Sequence, residues 1–135
     1  MLRSAIITSM LFIITALASI AIAGEADVVY VYLDENQGYY DISVSVRHAD
    51  AGWEHYANWW RVRTEDGNEL ARRELGHPHE DEQPFERALF NSVKIHPDVK
   101  VIIVEAHDMV HEYGGRTIRI DLSTKKGEGY EIRRR

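Results

Sequence analysis

The stretch YYDISVSVRH, residues 39–48, alternates apolar and polar side chains along its length. Ile42, Val44 and Val46 fall on one side, and Asp41, Ser43, Ser45 and Arg47 on the other. A period of two is the mark of a β-strand with one buried and one wet face. Working outward in both directions, the same signature recurs between turn signals. Residues 26–33 (ADVVYVYL) form an earlier strand, closed by the polar turn at 34–38. After the turn at 50–52, residues 56–64 form a third strand, on which Trp60 and Val62 share a face while Trp59, Arg61 and Arg63 share the other. Trp60 is therefore the expected core tryptophan.

Asp66-Gly67 is a strong hairpin signal and returns the chain into a fourth strand, 69–75. A fifth spans 85–95 and ends at His96-Pro97-Asp98. Residues 99–106 are apolar with little alternation, which suits a strand covered on both sides or lying deep in a sandwich. Gly114-Gly115 turns into a last strand at 117–122, with Ile118, Ile120 and Leu122 facing in. No stretch of residues 24–135 carries a helical period. Seven short strands at this spacing predict an all-β, seven-stranded antiparallel two-sheet sandwich. The charged segment 123–135 is expected to be loose, or to add a short edge strand at 130–132.

The N-terminus has the composition of a leader. Arg3 precedes an apolar run to Ile22 that ends Ala21-Ile22-Ala23, the parts of a secretory signal peptide with cleavage before Gly24. An uncleaved membrane anchor is the alternative, since the run approaches spanning length. The expected organisation is a signal peptide at 1–23, a sandwich domain at 24–122 and a tail at 123–135. The absence of cysteine from the sequence argues against a lipoprotein anchor, a disulfide framework and any thiolate metal site. An exported chain without disulfides points to the periplasm of a bacterium or to secretion. The formal charge of −6 includes Arg3, so residues 24–135 carry −7. Nucleic acid is a poor partner for such a chain.

A tryptophan in the third strand, a Pro97-Asp98 turn, the run VKVIIVEAHD (99–108), a glycine turn and an alternating last strand together resemble a fibronectin type III or related immunoglobulin-like domain over residues 26–122. The segments GWEHYANWW, HPHEDEQPF and AHDMVHEYGG are also similar to exported bacterial proteins of unknown function. The resemblance implies that the second-to-third, fourth-to-fifth and sixth-to-seventh strand loops lie at one end of the sandwich. His48, His55, His77, His79, His107 and His111 fall in or beside those loops, and His96 lies at the other end. Asp50, Glu54, Glu80, Asp81, Glu82, Asp108 and Glu112 accompany them.

Neutral imidazole with carboxylate suits Zn(II) or Cu(II). The expected ligand pool is His48, His55, His77, His79, His107, His111 and Asp81. Met109 is the lone methionine after residue 23, which disfavours a thioether-rich Cu(I) site. The expected function is an exported, non-enzymatic, metal-binding sandwich with a histidine-rich three-loop site. The competing reading is a protein- or carbohydrate-interaction module at the same end, in which Trp53, Tyr56 and Trp59 form an aromatic platform and the histidines are structural. No nucleophile elbow, phosphate-binding glycine loop or HExxH helix is present. A pair such as His107 with Asp50 would be the acid–base option.

Overall fold

The computed structural model describes residues 24–135, and the expected signal peptide lies outside the described residues. Nine strands follow in order: β1 (Asp27–Asn36), β2 (Tyr39–Arg47), β3 (Ala57–Thr64), β4 (Glu69–Glu74), β5 (Phe85–Lys94), β6 (Val101–Asp108), β7 (Ile118–Asp121), β8 (Lys126–Gly127) and β9 (Tyr130–Arg134). One sheet has the order β5-β2-β1-β9-β8 and the other β4-β3-β6-β7. The protein is an all-β sandwich, as its alternating sequence requires.

Strand parity builds the core. On β2, Ile42, Val44 and Val46 are fully buried, whereas Asp41, Ser43 and Ser45 between them are half-buried. Trp60 and Val62 do the same on β3, and Ile118 and Ile120 on β7. Ile102, Val104 and Ala106 of β6 complete the facing layer. The weak alternation of β6 arises because this strand lies deep in the sandwich, between β3 and β7. Its outward Glu105 is buried as well, under Arg61 at 2.6 Å and Arg63 at 3.0 Å.

The charged tail is part of the sandwich. β9 pairs parallel to β1, with Val31 opposite Tyr130 and Leu33 opposite Ile132, and both Tyr130 and Ile132 are buried. It is an inner strand, because β8 pairs along its other side. The first sheet is thus mixed, and two strands join the seven expected. Asp34 of β1 anchors the segment by accepting from Arg133 and from Arg135, the latter at 3.0 and 2.8 Å. Those arginines hold the Asp34 carboxyl below its ordinary range.

The β2–β3, β4–β5 and β6–β7 loops meet at one end. Gln83 accepts from the His48 N–H at 3.0 Å and donates to the His79 carbonyl at 2.9 Å, Glu80 accepts from the Gly52 N–H at 2.7 Å, and the Met109 N–H donates to the Tyr56 carbonyl at 3.2 Å. The start of β1 closes the same end. Val28 donates to the Arg116 carbonyl at 2.8 Å, and Arg116 donates to Asp27 at 2.7 Å. Gly115 makes that approach possible, since a Cβ there would stand 2.0 Å from the Ala26 carbonyl oxygen.

Trp60→Ala is expected to cost about 3–5 kcal/mol, the range for emptying an aromatic site in a closed core, read as a lower midpoint in denaturant. The exposed Phe90 serves as its control: Phe90→Ala should leave the midpoint within about 0.5 kcal/mol of wild type.

Candidate metal centre

The centre begins where β2 ends. Parity carries the inward face of Val44 and Val46 to His48, whose side chain is fully buried. It likewise carries the inward face of Val104 and Ala106 to Asp108, at 0 % exposure. His55, on the β2–β3 loop, leans over both, its ring 4.9 Å from that of His48 and its Nε2 3.3 Å from Asp108 Oδ1. His48, His55 and Asp108 each offer one ligand atom within 4.8 Å of the others. His111 stands next to them, with Nδ1 3.3 Å from Asp108 Oδ1 and its ring 5.0 Å from that of His55.

Asp50 orients the group. Its Oδ1 lies 2.5 Å from His48 Nδ1 and accepts from the Ala57 N–H at 3.0 Å, and its Oδ2 accepts from the His79 N–H at 2.6 Å. Burial pushes the Asp50 carboxyl up, but the bonds from His48, His79 and Ala57 outweigh it and the pKa is lowered. An ionised carboxylate only accepts, so His48 Nδ1 carries the proton and, in the neutral ring, Nε2 carries the lone pair. This is the carboxylate–histidine arrangement that orients metal-binding imidazoles.

Asp108 is held charged in the same way. Burial raises its pKa, and the N–H groups of His111 (2.7 Å) and Val110 (2.8 Å) more than reverse that. Those bonds occupy Oδ1. Among the described residues, Asp108 Oδ2, His48 Nε2 and His55 Nε2 are buried without a hydrogen bond of normal geometry. Burial pushes the His48 pKa down, yet the bond from Asp50 and the charges of Asp50 and Asp108 raise it overall.

The remaining residues of the expected pool stand elsewhere. His79 is buried, its ring stacked on Phe85 with centroids 3.9 Å apart and a 7° interplanar angle, and Arg87 Nη2 lies 3.0 Å from its Nε2. An arginine donates only, so that lone pair is occupied. Burial, and then the charge of Arg87, lower the His79 pKa, as befits a neutral structural ring. His77 is exposed and its Nδ1 lies 2.9 Å from the Pro78 carbonyl. Asp81 is exposed on a groove beside Trp53. His107 faces away from the centre because it precedes the inward Asp108 on the same strand. It stacks on Trp59 at 3.6 Å and bonds Asn58 at 2.7 Å, so it makes no pair with Asp50.

Trp59 is likewise absent from the expected aromatic platform. It lies on the outer face of its sheet between His107 and the guanidinium of Arg72, the latter 4.3 Å from its ring centroid. Trp53 and Tyr56 do meet, edge to face at 5.8 Å. The residues absent from the expected ligand set are Asp108 and, behind His48, Asp50. The signals for them were the spacings His48-x-Asp50 and Asp108-x-x-His111, together with the parity of β2 and β6.

The fold and site define an all-β sandwich with a buried histidine–carboxylate centre at one end. The chain is similar to a protein of Halomicrobium mukohataei named "Putative lipoprotein", at 38% identity over 101 residues. The match takes in 74% of this chain and 49% of that protein, so the chain spans about half the length of the relative. No family model and no solved structure match the sequence.

The metal-free centre should give a bounded pH optimum of stability. The lowered carboxyls of Asp50 and Asp108 contribute stability that is present above about pH 4 and lost as pH falls through their folded values. The raised His48 contributes stability that is full below about pH 6.5 and lost as pH rises through its folded value. Chemical denaturation in the presence of chelator from pH 3 to pH 9 is expected to place the maximum between these limits. Asp50→Ala should flatten both limbs and cost about 3–5 kcal/mol at pH 6, because it strands a buried histidine and two N–H groups.

Proposed function

We propose that this protein is an exported, non-catalytic metal-binding domain, in which His48 Nε2, His55 Nε2 and the Asp108 carboxylate bind Zn(II) or Cu(II). The observation that carries the reading is the convergence of two imidazoles and a carboxylate, each with a buried nitrogen or oxygen that has no hydrogen-bond partner. With both rings neutral and their Nε2 lone pairs turned inward, one cation would satisfy all three atoms at once, whereas one water has only two protons to give. Two imidazoles and a carboxylate form a donor set suited to zinc or divalent copper. His111 is the natural fourth ligand: it is the most exposed of the group and sits three residues from Asp108 in a tight loop closed by the Asp108–Glu112 bridge. Asp50 contributes from behind, fixing the His48 tautomer and strengthening its basicity.

The strand order supports the fibronectin type III-like reading, since the three loops meet at one end as that resemblance implies. Export, to the periplasm or the medium, rests on the leader composition and on the name of the Halomicrobium relative. His79 and His107 are structural in this reading, and the bound ion ties the β2–β3 loop to the β6–β7 loop.

Calorimetric titration of metal-stripped protein tests it. One equivalent of Zn(II) or Cu(II) should bind, and His48→Ala, His55→Ala and Asp108→Asn should each weaken binding at least about tenfold. His77→Ala and His107→Ala should leave it unchanged. Asp50→Asn should weaken it about 10–100-fold, the usual effect of losing an orienting carboxylate. Binding must displace the proton that the raised His48 pKa retains, so affinity should rise with pH and go on rising above about 6.5, the ordinary histidine value. Absence of stoichiometric binding, or dependence on His77 in place of His48, would overturn the assignment.

A further inference from the structure

The β2–β3 loop that carries His55 toward the metal centre also presents Trp53 outward. Its indole is 65 % exposed, the second most exposed large apolar side chain after Phe90 among the described residues. An exposed tryptophan alone would count for little, but this one has a neighbouring residue tied to the facing loop and a ring packed against it. Gly52, at a φ of 74° that favours glycine, donates to Glu80 across the loop boundary at 2.7 Å. The Tyr56 ring supports the indole edge to face at 75°. The other wall is the start of the β4–β5 loop, and between them lies a groove of about 340 Å³ lined by Gly52, Trp53, His77, Pro78, Glu80 and Asp81.

The polar chemistry of that groove is one-sided. Glu80 and Asp81 are acceptors. His77 Nδ1 faces the Pro78 carbonyl, which only accepts, so Nδ1 donates there and the Nε2 of the neutral ring is an acceptor too. No lysine or arginine is among the lining residues. A neutral sugar hydroxyl both donates and accepts, and would find few donors here. A guanidinium or ammonium group only donates, carries the charge that two carboxylates favour, and is attracted to the face of an indole.

We propose that this groove binds a cationic side chain, arginine or lysine, of a polypeptide partner, with Trp53 as the stacking surface and Glu80 and Asp81 as the counter-charges. The site is separate from the metal centre: neither His48, His55 nor Asp108 lines it. It therefore stands whether or not the metal assignment does.

The test follows the indole N–H resonance of Trp53, assigned by its loss in Trp53→Phe, with chelator present throughout. Acetyl-Gly-Arg-Gly-amide should shift that resonance in a saturable, millimolar titration, and acetyl-Gly-Gln-Gly-amide should not. Asp81→Asn, an exposed change with little effect on folding, should weaken binding about two- to fivefold, the range of an exposed charge pair. Trp53→Ala, followed on the His77 ring resonances, should weaken it by at least as much. Raising salt from 0.05 to 0.5 M should weaken binding by screening. Equal binding of the glutamine peptide would overturn the proposal. So would a response to cellotriose or chitotriose without one to arginine, which would make the groove a sugar site, or no response to any probe.

Discussion

The buried carboxylate of Asp50 is the constraint on which the loop end depends. It sits where three loops meet and holds something from two of them: the ring of His48 and the N–H of Ala57 on its own loop, and the N–H of His79 from the β4–β5 loop. Desolvating a carboxylate costs several kcal/mol, recovered only if its oxygens are fully hydrogen-bonded. Asp50 meets that condition, and in doing so fixes where those two loops can go. The His48 ring is then aimed by Asp50 toward Asp108, an acid held charged by two N–H groups of the third loop. The loop end is thus built from two ionised carboxylates with a histidine between them.

That arrangement also explains why the histidines separate into different roles although they cluster in space. A side chain at the end of a strand keeps the parity of the strand. His48 continues the inward series of β2 and Asp108 that of β6, so both enter the sandwich end. His107 and Trp59 hold outward positions on neighbouring strands and, being opposite each other in the ladder, stack on the sheet surface. Proximity in sequence misleads here: His107 adjoins Asp108, yet the two face opposite sides.

Most of the fold was legible because alternation is a direct record of burial. The seven strands, the inward Trp60 and the Asp66-Gly67 hairpin all follow from residue type and spacing. The segment 123–135 was harder to read, because Arg133, Arg134 and Arg135 look like a solvated tail. Arg133 and Arg135 are answered by Asp34, ninety-nine residues from Arg133, while Arg134 donates to the Leu122 and Thr124 carbonyls, and no local pattern records the Asp34 partnership. For the centre, the sequence indicated the loop end and the residue types, and the resemblance to a fibronectin type III domain implied the convergence. The ligand set needed side-chain directions. Carrying the parity of β2 one residue past its end and that of β6 to its last residue would have brought out His48 and Asp108, but His55 and His111 sit on loops whose course depends on contacts from the other loops.

The spacing of the centre is what the proposed cation would require. If His48 were only a linker between two acids, its Nε2 would be expected to approach Asp108 as closely as its Nδ1 approaches Asp50. Instead the first separation is 3.9 Å and the second 2.5 Å. The ring is committed to Asp50 and held back from Asp108, with His55 over the gap between them. A direct hydrogen bond requires heavy atoms about 3 Å apart, whereas ligands at about 2 Å from a shared ion stand roughly 3–4 Å from one another. The 3.9 Å between His48 Nε2 and Asp108 Oδ2 matches the second spacing, the 3.3 Å between His55 Nε2 and Asp108 Oδ1 is compatible with either, and the His48–Asp50 bond keeps the His48 ring where it is.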